Sequence, residues 1–140
     1  MNSFMHELIG TDEISWSDFE PVARYHPHMD VLLYLKEDCG YRADRVDVYL
    51  TVLWHPQEER LVGIKLKGFK FVFHQLQSIA DIKDAQFLPL VKALEMLLVH
   101  GVAQSMMDEV EGKRIRQRYE AARDFAKGVQ VPATVWMRAA

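Results

Sequence analysis

Residues 46–73 read VDVYLTVLWHPQEERLVGIKLKGFKFVF, and the apolar positions in this stretch keep strict period-two spacing on both sides of a turn. Val46, Val48, Leu50, Val52 and Trp54 share one side of a first strand, and Val62, Ile64 and Leu66 share one side of a second. Alternation of this kind marks a sheet with one buried face. The link His55-Pro56-Gln57-Glu58-Glu59-Arg60 has to join the two strands in register. An odd loop, of three or five residues, pairs Trp54 with Val62, Val52 with Ile64 and Leu50 with Leu66, whereas an even loop sets apolar against polar. After Gly68 the apolar set changes phase to Phe69, Phe71 and Phe73. A one-residue bulge at Gly68 restores the register and places Val48 by Phe69, Val46 by Phe71 and Asp47 by Lys70. The stretch defines a scaffold and identifies no reaction.

Working outward, Asp30 to Lys36 (Asp-Val-Leu-Leu-Tyr-Leu-Lys) reads as a further strand, linked to the hairpin by Lys36 to Asp44. Ser15 to Arg24 reads as a short helix capped by Ser15 or Ser17, with Trp16, Phe19 and Val22 inward. From Asp84, read as a cap, the pattern becomes helical. Phe87, Leu90, Val91, Leu94, Leu97, Leu98, Gly101, Val102, Ser105 and Met106 form one long stripe, and Leu88, Met96, Val99, Ala103, Met107 and Val110 cover a second side. Gly112 is expected to interrupt this helix before a basic amphipathic one over Lys113 to Lys127, with Ile115, Tyr119, Ala122 and Phe125 or Ala126 inward. After Gly128, Val129 to Met137 reads as a last strand, confined to an edge by Pro132. The expected fold is a single α+β domain over residues 1–140. In it an antiparallel β-meander of three to four strands packs against a long apolar helix, with a second, basic carboxy-terminal helix.

The composition is that of a globular chain: 140 residues, 49% apolar, 26% charged, with a net charge of -3. The single cysteine, Cys39, excludes an internal disulfide and points to a reducing, cytoplasmic setting. Met1 to Gly10 contains Glu7 and no apolar run of the signal-peptide kind, and the apolar stretch Phe87 to Val99 is broken by Pro89, Lys92 and Glu95, so no membrane partner is expected. Charge is unevenly spread. Residues 1–44 carry nine acids against three bases, and Lys113 to Lys127 carries six bases against Glu120 and Asp124. The simplest reading has the acidic and basic parts facing each other in the fold. With its own acids and an overall negative charge, the basic helix reads against nucleic-acid binding despite Tyr119 being available for stacking.

Two groups of residues are candidates for chemistry. In an extended chain His26, His28 and Asp30 point the same way, presenting two imidazoles and a carboxylate to one ion. Alternation guarantees that for any such triplet, and His6, His55, His74 and His100 supply no paired spacing for a distal ligand. The outer hairpin face carries Tyr49, Thr51, Lys65 and Lys67, joined past the bulge by Lys70 and His74, and could receive a phosphate or carboxylate. The derived register instead pairs Thr51 with Lys65, Tyr49 with Lys67 and Asp47 with Lys70, an ordinary solvated face. Cys39 beside Gly40 lacks an activating neighbour, and no nucleophile motif, dinucleotide fingerprint or phosphate-cradling loop occurs.

The run from Asp47 to Phe69, with Asp30-Val-Leu-Leu-Tyr-Leu35 before it, resembles small uncharacterised bacterial β-hairpin proteins in which a strand, a short acidic turn and a Val-Gly-Ile strand recur. The resemblance covers roughly residues 30–69. It implies the hairpin and a bacterial source, and brings no activity and no site residue. No catalytic, cofactor or metal residue is therefore assigned. The expected function is a non-catalytic cytoplasmic interaction or regulatory module, a homodimer joined through its long helix. The alternative is a small-ligand-binding or metal-dependent enzyme using the His26, His28, Asp30 tract or the Lys65, Lys67 face.

Overall fold

The computed structural model describes residues 21–79, 87–104 and 109–136. Five strands, β1 (Ala23–His26), β2 (Val31–Leu35), β3 (Arg42–Arg45), β4 (Leu50–Trp54) and β5 (Leu61–Lys67), form one antiparallel sheet in the order β1-β2-β5-β4-β3. Helix α1 (Phe69–Ile79) follows, then β6 (Phe87–Pro89), α2 (Leu90–Gln104), α3 (Glu109–Phe125), β7 (Gln130–Pro132) and the short α4 (Ala133–Trp136). β6 and β7 pair with each other as a separate two-stranded ladder. The α+β class expected from the sequence holds, with five strands in the main sheet in place of the expected three or four.

Rows of apolar side chains cross the sheet on its helix-facing side. Tyr25, Leu32, Leu66 and Leu50 stand in one row, and Ala23, Tyr34, Ile64 and Val52 in the next. They pack in a single core with Phe69, Val72, Phe73 and Leu76 of α1, Leu90, Ala93, Leu94 and Leu97 of α2, and Ile115, Tyr119 and Ala122 of α3. Burial of this apolar area is the main favourable term holding the layers together.

The hairpin register is as expected over Leu50↔Leu66, Thr51↔Lys65 and Val52↔Ile64. Three features around it differ. The bulge lies at the loop end, since Leu53 pairs with Gly63 but Trp54 pairs with Leu61, leaving Val62 as the extra residue. The intervening loop of six residues is closed by a hydrogen bond from His55 N–H to the Arg60 carbonyl (2.8 Å), while His55 Nδ1 accepts the amides of Gln57 and Glu58 (both 3.1 Å). The first strand begins at Leu50, because the Asp47 carboxylate accepts the amides of Tyr49 (2.9 Å) and Leu50 (2.8 Å) and folds residues 46–49 into a turn. Val48, expected inward, is consequently 61% exposed.

Past Gly68 the chain leaves the sheet. Gly68 has φ +65°, and from Phe69 onward the backbone is helical, so Phe69, Phe71 and Phe73 do not continue the strand. Phe69, Val72, Phe73 and Leu76 are the buried set, which is helical rather than period-two spacing. Asp30, far upstream and itself at φ 54°, completes the start of α1, its carbonyl accepting Phe69 N–H (3.2 Å) and its carboxylate accepting Lys70 N–H (3.0 Å). A Cβ at Gly68 would make only ordinary contact with the Tyr49 ring at 3.5 Å, so the demand for glycine is conformational. Gly68→Ala is expected to cost about 1–2 kcal/mol, with Gly68→Asn recovering part of it. Denaturant titration of the three proteins checks this, and an alanine variant as stable as the parent would refute it.

The described part of the expected apolar helix is α2, of 15 residues, and the expected basic helix falls in α3, of 17, which begins at Glu109. Phe87 and Leu88 belong to β6, and α2 starts only after Pro89, its first amide, Leu90 N–H, donating to the Val129 carbonyl (3.0 Å). Gly112 lies inside α3 and does not interrupt it. Asp84, Ser105, Met106 and Met107 lie outside the described residues. So do Ser15, Trp16, Ser17 and Phe19 of the expected first helix, whose last residues Ala23 and Arg24 form β1 instead. The expected terminal strand is short, giving way at Ala133 to α4.

Candidate functional site: a groove along the edge of β1

α3 meets the sheet at the β3–β4 turn, where Asp44 is the described acid of the amino-terminal part that pairs with the basic helix. Asp44 Oδ2 accepts Arg118 Nε–H (3.1 Å) and the Trp54 indole N–H (3.3 Å), with the Arg118 guanidinium 5.6 Å from the Trp54 ring centre. One turn earlier Arg114 donates to the Val46 carbonyl (3.2 Å) and to Glu111 (2.9 Å). The Tyr119 hydroxyl donates to Asp47 Oδ2 (2.7 Å), and its pKa lies well above the ordinary value, raised chiefly by burial and then by that carboxylate. These groups join helix to sheet.

The histidine tract does not assemble. His26 ends β1 and residues 27–30 turn, so the extended geometry that would align His26, His28 and Asp30 is absent. The two imidazoles are exposed, and the Asp30 carboxylate is engaged by Lys70 N–H and by the Tyr25 hydroxyl at 2.6 Å. Burial, then this bond to Asp30, pushes the Tyr25 pKa up to about 12. Among the described residues no three His, Cys, Asp or Glu side chains are arranged to hold a metal ion. The lysine face is also dispersed. Thr51 is buried, Lys65 lies over the Tyr41 ring (5.7 Å), Tyr49 stacks on Phe71 (5.5 Å), and Lys70 and His74 belong to α1. Burial and the neighbouring Glu37 push the Cys39 thiol pKa up, opposite to what a nucleophile needs. Glu37 itself pairs with Arg60, which also holds Glu58 (2.8 Å).

A groove of about 910 Å³ opens to solvent between β1 and the segment from Lys127 to Val135. Ala23, Arg24, Tyr25 and His26, consecutive residues that alternate between the two sheet faces, all line it. The groove therefore follows the edge of the sheet rather than either face. Its floor is fixed from behind, because Tyr25 packs on Phe69 of α1 and Tyr34 on Phe125 of α3, each with ring centres 5.8 Å apart. Gly128 at φ +81° and the Val129 carbonyl bond to Leu90 set the second wall. Arg24, His26 and Lys127 line the groove, and among the described residues no acidic side chain does. Arg24 and Lys127 are not candidates from the sequence, since nothing local shows that residues so far apart in the chain share a surface.

Compared with known proteins, the chain matches no family model, no curated protein and no solved structure. No helix among the described residues is long and apolar enough to cross a membrane.

Proposed function

We propose that this protein is a non-catalytic cytoplasmic interaction module that acts as a homodimer, with the β1 groove as its binding surface. The observation that carries the reading is the groove itself, a sheet edge that nothing pairs among the described residues, facing a segment of mixed apolar and polar side chains. Three described carboxylates are instead engaged in joining elements: Asp44 with Arg118, Asp47 with Tyr119, and Asp30 with Tyr25 and the start of α1. Such a site suits binding better than proton transfer.

The homodimer reading draws on α2 and α3. α3 packs against α2 within one chain. Val99 of α2 and Val110 of α3 nevertheless remain 70% and 79% exposed, an apolar surface a second copy would cover. Val99→Glu with Val110→Glu is expected to convert a dimer to monomer without loss of helical signal, as both side chains are exposed. Sedimentation over a concentration series reads this. A parent protein that stays near 16.3 kDa at high micromolar concentration would end the homodimer reading.

A further inference from the structure

Resting on the reading of the groove as a binding surface, we infer that it accepts an extended peptide segment alternating acidic and apolar residues, which adds to the sheet as a strand beside β1. β1 is the last strand of the sheet, and among the described residues nothing pairs with its outer side. A free edge presents a row of amide and carbonyl groups that an extended backbone can satisfy. Four residues at roughly 3.3 Å each give about 13 Å of edge, enough to hold a segment of four or five residues.

Side-chain chemistry selects the partner. Arg24 and His26 stand two apart on one sheet face, so an added strand sets its own alternate residues against them, and carboxylates there make favourable cross-strand pairs. The intervening residues face the side of Ala23 and Tyr25, toward apolar Val129 and Val135 of the facing segment. Lys127 adds a cation to that segment. Its pairing with Asp124 is long, 3.6 Å between two largely exposed side chains, and such a pair is weak in water. The Asp30 carboxylate, in the turn that follows β1, is engaged by the Tyr25 hydroxyl and Lys70 N–H. A second copy of this chain fits less well, because edge-to-edge pairing of two β1 strands brings Arg24 and His26 of each copy together, and like charges on an edge oppose self-association.

The test is titration of the full chain with two blocked peptides, acetyl-Glu-Val-Glu-Val-Glu-Val-amide and its lysine counterpart, followed by amide chemical shifts. The acidic peptide is expected to bind at least about tenfold more tightly than the basic one, to move the amides of β1, and to lose about tenfold in affinity with Arg24→Glu, an exposed position whose reversal leaves the core intact. N-methylation of alternate peptide amides is expected to abolish binding, since it removes the backbone donors a strand needs. Equal binding of the two peptides, no binding of either, indifference to Arg24→Glu, or retained binding after N-methylation would each overturn the proposal. A change in the monomer–dimer balance with Arg24→Glu would make a second copy the occupant and overturn it too. Sedimentation of the Val99 and Val110 variants reads a different surface, so the homodimer and the peptide site can fail separately.

Discussion

Gly63→Ala is expected to destabilise the protein by about 3 kcal/mol, although glycine in a strand interior is normally replaced by alanine with a gain of about 0.5–1 kcal/mol. The sign reverses because of what surrounds this position. Gly63 is buried in the middle of the sheet between Leu35 of β2 and Leu53 of β4, next to the bulge at Val62. A Cβ there would lie 2.6 Å from the Tyr34 carbonyl oxygen, 2.8 Å from Leu35 Cδ2 and 3.1 Å from Leu53 Cδ1. Leucine side chains can rotate away at modest cost, but the carbonyl belongs to a neighbouring strand and moves only if the β2–β5 pairing opens. Gly40→Ala is the control, since a Cβ there meets only Pro56 at 3.6 Å and needs no unusual backbone. It should be neutral or slightly stabilising. Urea denaturation of the three proteins measures the difference. A Gly63→Ala midpoint at or above that of Gly40→Ala would mean the bulge relaxes to admit the methyl group.

How far the sequence determines this picture depends on how local the cause is. The pairing of Leu50 with Leu66 and Val52 with Ile64 is legible because alternation survives in both strands and a slip of one residue would expose every apolar side chain. The strand Val31–Leu35 is legible differently, as a short continuous apolar run between Asp30 and Lys36. Alternation misleads at Val48, where the pattern runs on but Asp47 folds the backbone away with two side-chain hydrogen bonds, while Val46 is buried as expected although outside the strand. Phe69, Phe71 and Phe73 fit a strand on their own. Counting Val72 and Leu76 as well turns the same residues into a helix beginning where Gly68 takes a positive φ. β3, Arg-Ala-Asp-Arg, has no fully buried residue to betray it, and it exists because the Asp47 turn returns the chain alongside β4. The groove is the least legible feature. Its two walls come from segments far apart in the chain, brought together by the packing of Tyr34 on Phe125, the bond from Leu90 to Val129 and the contact of α4 with β1.

Asp47→Ala is expected to cost about 2–4 kcal/mol, because one carboxylate satisfies three donors and all three lose it together. Oδ1 accepts the amides of Tyr49 and Leu50, and Oδ2 accepts the hydroxyl of Tyr119, a residue only 1% exposed. The first pair holds the turn that separates β3 from β4, and the second ties α3 to that turn, so the substitution loosens sheet and helix at once. Tyr119→Phe removes the hydroxyl along with its need for a partner and should cost much less, about 1 kcal/mol. In the double variant the penalty should fall short of the sum of the two single ones, since with Tyr119→Phe in place no buried hydroxyl is stranded when the carboxylate is gone. The pH dependence follows from the raised pKa of Tyr119. Folding keeps this phenol protonated above pH 10, where the unfolded chain releases the proton. Its contribution is therefore complete below pH 10 and is lost as pH rises further. Tyr119→Phe should flatten that alkaline decline, to the extent that Tyr25 and Tyr34, also raised by burial, do not maintain it. Strict additivity in the double variant would show that Asp47 acts only through its turn and that the link to α3 contributes nothing to stability.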